Sequence, residues 1–333
     1  MPKKLAELAA KVISLYGIKP ESVRLVQGES IKTVWKIYAY SGEYCLKRLK
    51  HNLEKSLFSI EAQVYMSGKG AQVPKVIKAK SGEKFIEYKG QIFVLYNWVS
   101  GRQLHLNNKS DLRQAVKGLA KFHLDSTGYQ APQGIRVSTK LGRWPHQYAS
   151  MRDRLIKWRD IAAEKPQKEL FKVYLEQVDY FIYLADKAMK LLDSSDYRGW
   201  VRDVEQKKIL CHQDYGEGNA LLTERGIFVL DLDSVSYELP ARDLRKIILK
   251  IMSGYKYWDE KMLREILRWY EETNPLTAEQ RKVLYIDLLF PHEFHNIAKN
   301  PFHKQKEVKA GDLALASGLG RDKVELLERM LEE

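Results

Sequence analysis

One stretch limits what this chain can fold into more than any other: ILCHQDYGEGNALL at 209–222, with FVLDLDSV beginning at Phe228. NALLTERGIFVLD reads as two strands joined by a turn around Glu224-Arg225-Gly226. Asn219 lies six residues before Arg225 and Asp231 six after it. A hairpin centred there brings Asn219 and Asp231 side by side at one end, and the loop carrying Asp214 arrives at the same end. Polar side chains at the ends of buried strands must be satisfied locally or do chemistry. An amide and a carboxylate together suit a hard cation such as Mg²⁺, which takes oxygen ligands. Asp214 is then left to accept a proton. The alternative is that Asp, Asn and Gly merely form turns here, as they readily do.

The spacing decides between these readings only together with the rest of the chain. His212, Asp214 and Asn219 satisfy His-x-Asp-x-x-x-x-Asn, and Asp231 stands where a metal-binding aspartate follows that loop in phosphoryl-transfer sites. Upstream, YCLKRL places Lys47 inside an apolar strand, where an unpaired ammonium is costly. Glu61, mid-way along the helical pattern LEKSLFSIEAQVYMS, is the expected ion-pair partner, and the lysine is the group that would meet nucleotide phosphates. Around them the strand patterns VRLVQGESIKTVWKIYAY, YCLKRL, VPKVI, FIEY and IFVLYNWV predict a five-stranded antiparallel sheet with one inserted helix. From Ser100-Gly101 onward the pattern is mostly helical, the 209–232 hairpin excepted. The expectation is an α+β, two-lobed, protein-kinase-like fold, with residues 1–99 as a nucleotide-binding lobe and 100–333 as a helical lobe carrying the catalytic loop and an acceptor site.

Composition removes other classes. No apolar run reaches the roughly 20 residues of a membrane span. The N-terminal MPKKLAELAAKVISLYG has the spacing of an amphipathic helix, with Glu7 and Lys11 breaking any signal-peptide core. Two cysteines, Cys45 and Cys211, make no disulfide framework and point to a reducing cytoplasm. The net charge of +13 is spread along the chain without a nucleic-acid motif, so no nucleic-acid partner is expected. His292-Glu293-Phe294-His295 lacks the spacing of a zinc helix and reads as helical core, with a wall of the acceptor pocket as the alternative. The stretch after Lys304, broken by SGLG, reads as a loosely docked helical tail.

The chain resembles the aminoglycoside phosphotransferase and choline kinase branch of the kinase-like superfamily, whose His-Gly-Asp loop is matched by His212-Gln213-Asp214. HQDYGEGNALL, VLDLDSV, LPARDLRKII and FPHEFHNIAK are further similar to the bacterial spore coat protein S family. The resemblance implies ATP and Mg²⁺ as cofactors and a small-molecule hydroxyl as phosphate acceptor. It makes Asp214 the catalytic base, Asn219 and Asp231 the metal ligands, and Lys47 with Glu61 the phosphate-holding pair. His212 and Asp243 would brace the catalytic loop. Tyr96, Asn97 and Trp98 would form the hinge whose backbone meets adenine. Asp233 would be a second metal or acceptor contact, or a hydrogen-bond anchor. The sequence departs from protein kinases in its phosphate-covering loop, where Gly28 alone stands in place of a full glycine pattern. The short segment between Asp231 and Pro240 argues for an ungated small-molecule enzyme. Other spore coat proteins are the further partners implied, with assembly into the coat. The rival reading is a catalytically inactive structural protein of the spore coat that keeps the kinase fold.

Overall fold

The computed structural model describes residues 3–28 and 32–333. The chain packs as two compact units, Met1–Thr139 with Lys208–Tyr237 and Lys140–Lys207 with Glu238–Glu333. The hairpin at 220–229 and residues 100–139 fall in the first unit together with the N-terminal sheet, beyond the boundary at Val99 expected from the sequence. The division by nucleotide-binding and acceptor roles stays a proposal.

The first unit contains α1 (Lys3–Leu15), β1 (Ser22–Gln27), β2 (Thr33–Ala39), β3 (Gly42–Arg48), α2 (Leu53–Gly68), β4 (Val76–Ile77), β5 (Ile86–Tyr88), β6 (Gln91–Asn97), β7 (Arg102–Gln103) and α3 (Lys109–Ser126). It is completed by β8 (Leu210–Cys211), β9 (Ala220–Thr223), β10 (Gly226–Val229) and β11 (Ser236–Tyr237). Among the described residues the main sheet has six antiparallel strands, not five, in the order β1-β2-β3-β6-β4 with β5 also on β6. The sixth arises because the run 23–40 turns back on itself after Gly28, pairing Ser22 with Tyr38 and Gln27 with Val34.

Period-two alternation along β6 fixes both faces of this sheet. Phe93 and Leu95 join Trp35, Ile37 and Leu46 under α1. Ile92, Val94 and Tyr96 pack with Ile60 of α2. Lys47 follows Leu46 in β3 and is paired with Val94, so its side chain leaves on the α2 face.

The β9–β10 hairpin is clamped to this unit from two sides. β9 pairs with β7, and at Gly101 a Cβ would come within 2.9 Å of the Leu222 carbonyl oxygen. The N–H of Val229 donates to the Gln72 carbonyl (2.8 Å). Beneath, α3 is capped by the Asn108 side chain, and it crosses β10 at Gly118. A Cβ at Gly118 would lie 2.7 Å from Cβ of Ile227 and 2.9 Å from the Tyr215 hydroxyl.

The second unit is helical: α4 (Trp144–Ala163), α5 (Glu169–Ser194), α6 (Tyr197–Lys207), α7 (Ala241–Tyr255), α8 (Glu260–Glu271), α9 (Ala278–Leu289), α10 (His292–His303) and α11 (Ala310–Glu332). The C-terminal segment is not loosely docked. Leu313, Leu327 and Met330 of α11 are buried, and the buried Lys323 ammonium donates to the carbonyls of Leu288 (2.7 Å) and Phe290 (3.0 Å) at the end of α9. Met, Leu and Lys at helical spacing gave the amphipathic face, but the exposed look of SGLG hid it. His292 lies 2.9 Å from Asp287, which also accepts from Tyr148 and Arg245, while His295 packs on the Trp158 ring. Both histidines serve the packing of this unit. Asp243 is fully buried in the first turn of α7.

The approach of α3 to β10 gives a direct test. Gly→Ala in a helix interior gains up to about 1 kcal/mol in propensity. Forcing a methyl against a β-branched Cβ costs about 1–3 kcal/mol. Gly118→Ala should therefore lower the unfolding free energy measured by denaturant titration, with the Tm falling too.

Candidate active site

The site is built on the β9–β10 hairpin and the loop that enters it. The register pairs Ala220 with Val229, and the N–H of Leu230 donates to the Asn219 carbonyl (2.9 Å). Asn219 thus faces Leu230, and Asp231 lies one residue beyond at the same end. The hairpin is centred between Glu224 and Arg225 because its turn has two residues, half a residue from the centre the sequence suggested.

Asp231 adopts a left-handed conformation (φ 63°, ψ 60°) and opens a 3-10 turn at Leu232–Ser234. Asp tolerates this region better than most residues, but such positions still cost of the order of 1–3 kcal/mol. The bend turns both Asp231 and Asp233 onto one ammonium group: Lys47 Nζ lies 2.7 Å from Asp231 Oδ1 and 2.6 Å from Asp233 Oδ1. Lys32, which the sequence reading missed, pairs with the other Asp231 oxygen. Two carboxylates therefore face two ammonium groups.

The titration behaviour follows from this cluster. Burial pulls the Lys47 pKa down, but the Asp233 and Asp231 carboxylates outweigh it and hold the ammonium above its ordinary value. Burial alone would raise the Asp231 carboxyl, yet Lys47 and Lys32 hold it well below the usual carboxylate range. Close to them, burial pushes the Cys45 thiol up to about 11, so this cysteine is an apolar wall rather than a nucleophile.

The expected Lys47–Glu61 pair is not made. Both carboxylate oxygens of Glu61 hold Lys84 (2.7 and 2.6 Å). Asp233 takes the place assigned to Glu61, because the 3-10 turn carrying it packs against α2. Periodicity placed Glu61 on a helix near the sheet but could not say which acid reaches Lys47 first.

The loop before the hairpin is fixed by His212, which is fully buried between Phe122 and Tyr215. Its Nδ1 accepts the Asp214 N–H (3.2 Å), which leaves Nε2–H to donate to the Leu230 carbonyl (2.8 Å). One neutral ring thus ties the loop to the strand leading into Asp231. Gln213, between His212 and the exposed Asp214, is also left-handed (φ 69°). Asn219 Nδ2 donates to the Asp214 carbonyl (2.8 Å) and lies 3.5 Å from Asp214 Oδ2. With that NH₂ turned to Asp214, the amide oxygen of Asn219 points the other way.

These groups open on a cavity of ≈ 670 Å³ in the first unit, within the range of ligand pockets. Lys32, Lys47, Asn219 and Asp231 line its polar end. Val34 and Cys45 from the sheet, with Leu221 and Leu230 from the hairpin, supply apolar walls that the sequence reading did not assign. Tyr96, Asn97 and Trp98 line it too, but the N–H groups of Asn97 and Trp98 are taken by the Lys75 and Glu43 carbonyls (3.1 and 3.0 Å). The Asn97 side chain closes the strand end, accepting from the Lys75 N–H. A hinge contact to a ligand must therefore use other backbone groups of 96–101. At Gly28, a Cβ would come within 2.6 Å of Thr33 Cγ2, so Gly28 lies close against the start of β2. The next three residues of the expected phosphate-covering loop lie outside the described residues.

The fold is that of kinase-like small-molecule phosphotransferases. It superposes on an aminoglycoside phosphotransferase from Alicyclobacillus acidocaldarius with a TM-score of 0.78, at 14% identity, covering 97% of this chain and 95% of that one. A microcompartment-associated aminopropanol kinase is similar with a TM-score of 0.60, at 16% identity over 98% of this chain and 97% of that one. A family described as "Spore coat putative kinase YutH" matches residues 10–317, and the chain belongs to that family. It is 27% identical to spore coat protein S of Bacillus subtilis, covering 90% of this chain and 86% of the relative. It is 22% identical to the endospore coat-associated protein YutH of the same organism, over 70% and 66% of the two chains. Among the described residues no helix is long and apolar enough to cross a membrane.

The ion cluster predicts a pH-dependent stability. With Asp231 held low, its ionised form stabilises the fold at any pH above the unfolded carboxyl's value of about 4, and the contribution fades as pH falls below it. Breaking a buried pair costs about 3–5 kcal/mol. Lys47→Met should show a deficit of this size at pH 7 by denaturant titration, narrowing as the pH is lowered from 5 to 3.

Proposed function

We propose that this protein is an ATP- and Mg²⁺-dependent phosphotransferase acting on a hydroxyl of a small molecule. The observation that carries the reading is the convergence of Lys47, Asp231 and Asn219 on one cavity, with Asp214 tied to Asn219 at its rim.

The residues present fit a hard divalent cation: Asp231 is kept ionised, and Asn219 offers an amide oxygen in the same cavity. These two would hold Mg²⁺, whose contribution is to neutralise phosphate charge. Lys47, anchored by Asp233, presents its ammonium to the phosphates of the nucleotide. The apolar walls Val34, Cys45, Leu221 and Leu230 suit a purine base. His212 and Asn219 hold the loop so that the Asp214 carboxylate is exposed and oriented. In the reaction the acceptor oxygen bonds to the γ-phosphorus, the bond to the bridging oxygen of ADP breaks, and the acceptor proton passes to Asp214. Positioning and charge stabilisation supply most of the acceleration in such transfers. Of the solved relatives, a spectinomycin phosphotransferase holds ADP and spectinomycin in a similar fold (TM-score 0.51). That likeness supports a nucleotide and a small hydroxyl acceptor here. We assign Asp243 to bracing the catalytic loop, on the resemblance to the superfamily.

The names of the relatives favour a second reading, a coat-assembly protein without catalysis. Both are tested by following ADP release across a panel of small-molecule alcohols. Asp214→Asn should reduce kcat by at least about a thousandfold while leaving nucleotide affinity within about threefold. Turnover retained in that variant removes Asp214 from the base role, and no turnover by the wild type with any acceptor favours the assembly reading.

A further inference from the structure

Lys32 immediately precedes β2, lines the cavity and is matched by none of the motifs that identify the site. It holds one Asp231 oxygen while Lys47 holds the other. The two lysines are not equivalent. Lys47 is mid-strand, 7% exposed in its side chain, and also bound to Asp233. Lys32 is 27% exposed, and Asp231 is its ion-pair partner among the described residues. It therefore has the freedom to leave, and Lys47 does not.

A divalent cation cannot take Asp231 while both oxygens are held by ammonium groups. Two carboxylates against two lysines are already balanced, so a further doubly positive ion would meet no net attraction and would leave the cluster with excess positive charge. The imbalance vanishes if the more mobile ammonium moves to the phosphates that arrive with the cation. We propose that Lys32 is an exchangeable counter-ion: it neutralises Asp231 before substrate binds, and passes to the nucleotide phosphates when the cation replaces it. Lys32 thereby couples the two binding events, disfavouring metal without nucleotide and adding a phosphate contact once both are present. This rests on the phosphotransferase reading and adds a positioning residue that sets the order of binding.

The test uses the full chain and needs no turnover. Mn²⁺ binding without nucleotide is followed by the electron paramagnetic resonance of the free ion, and ATP binding without metal is followed by calorimetry in the presence of a chelator. Lys32→Ala should bind Mn²⁺ about three- to tenfold more tightly than wild type and metal-free ATP about three- to tenfold more weakly, as expected for one partly exposed charge. Lys32→Arg should stay near wild type in both. Unchanged Mn²⁺ or ATP affinity in Lys32→Ala, with wild-type Mn²⁺ binding that Asp231→Ala abolishes, overturns the role of Lys32 alone. Absence of Mn²⁺ binding at Asp231 in both the wild type and Lys32→Ala overturns the phosphotransferase reading together with this proposal.

Discussion

A lysine ammonium on the apolar face of a sheet is a charge the rest of the chain must answer, and here Asp231 and Asp233 do so. Left unpaired, Lys47 would cost several kcal/mol, so the fold is stable only if the segment at 231–233 comes to β3. Much of the first unit serves that approach. β7 pairs with β9, Gly101 and Gly118 admit backbone and side chain at distances no Cβ would allow, and His212 ties the loop to Leu230. The left-handed Asp231 is the strained point of the arrangement, and the ion pairs offset its strain. Asp231, one of the acids that answer the buried lysine, therefore also lines the polar end of the cavity.

This dual use ties the side chains of the site to the packing of the fold. Lys47 and Lys32 offset the burial of Asp231 and hold its carboxyl well below the usual carboxylate range. Asn219 cannot rotate its NH₂ away from Asp214 without losing a 2.8 Å bond. The neutral His212 has both ring nitrogens committed, so it positions neighbours and has no proton to exchange with a substrate.

How far the sequence foretold this depends on which physics each residue obeys. His212, Asp214, Asn219 and Asp231 were legible because hairpin geometry and one short loop bring them together locally. A shift of half a residue in the turn altered only which neighbour Asn219 faces. Lys47 was legible because a charge in an apolar strand is conspicuous. Its partner was not: Glu61 and Asp233 are both acids within reach, and only the packing of the 3-10 turn on α2 and the presence of Lys84 settle the choice. Lys32, Leu221 and Leu230 were missed for a similar reason, since nothing in a strand pattern says which face meets a cavity. The sixth strand was hidden because a run of β-formers on both sides of Gly28 looks continuous until it is paired. The docked α11 was hidden because the burial of Lys323 depends on carbonyls of another helix.

The central claim is that Asp231 organises a metal-dependent nucleotide site. Calorimetric titration of the wild-type chain and of Asp231→Ala with ATP, each with and without Mg²⁺, tests it most directly. The account predicts wild-type binding that Mg²⁺ strengthens, and loss of that Mg²⁺ dependence in Asp231→Ala. Wild-type protein that binds no ATP at millimolar concentration, or an Asp231→Ala variant that binds ATP·Mg²⁺ as the wild type does, would contradict it.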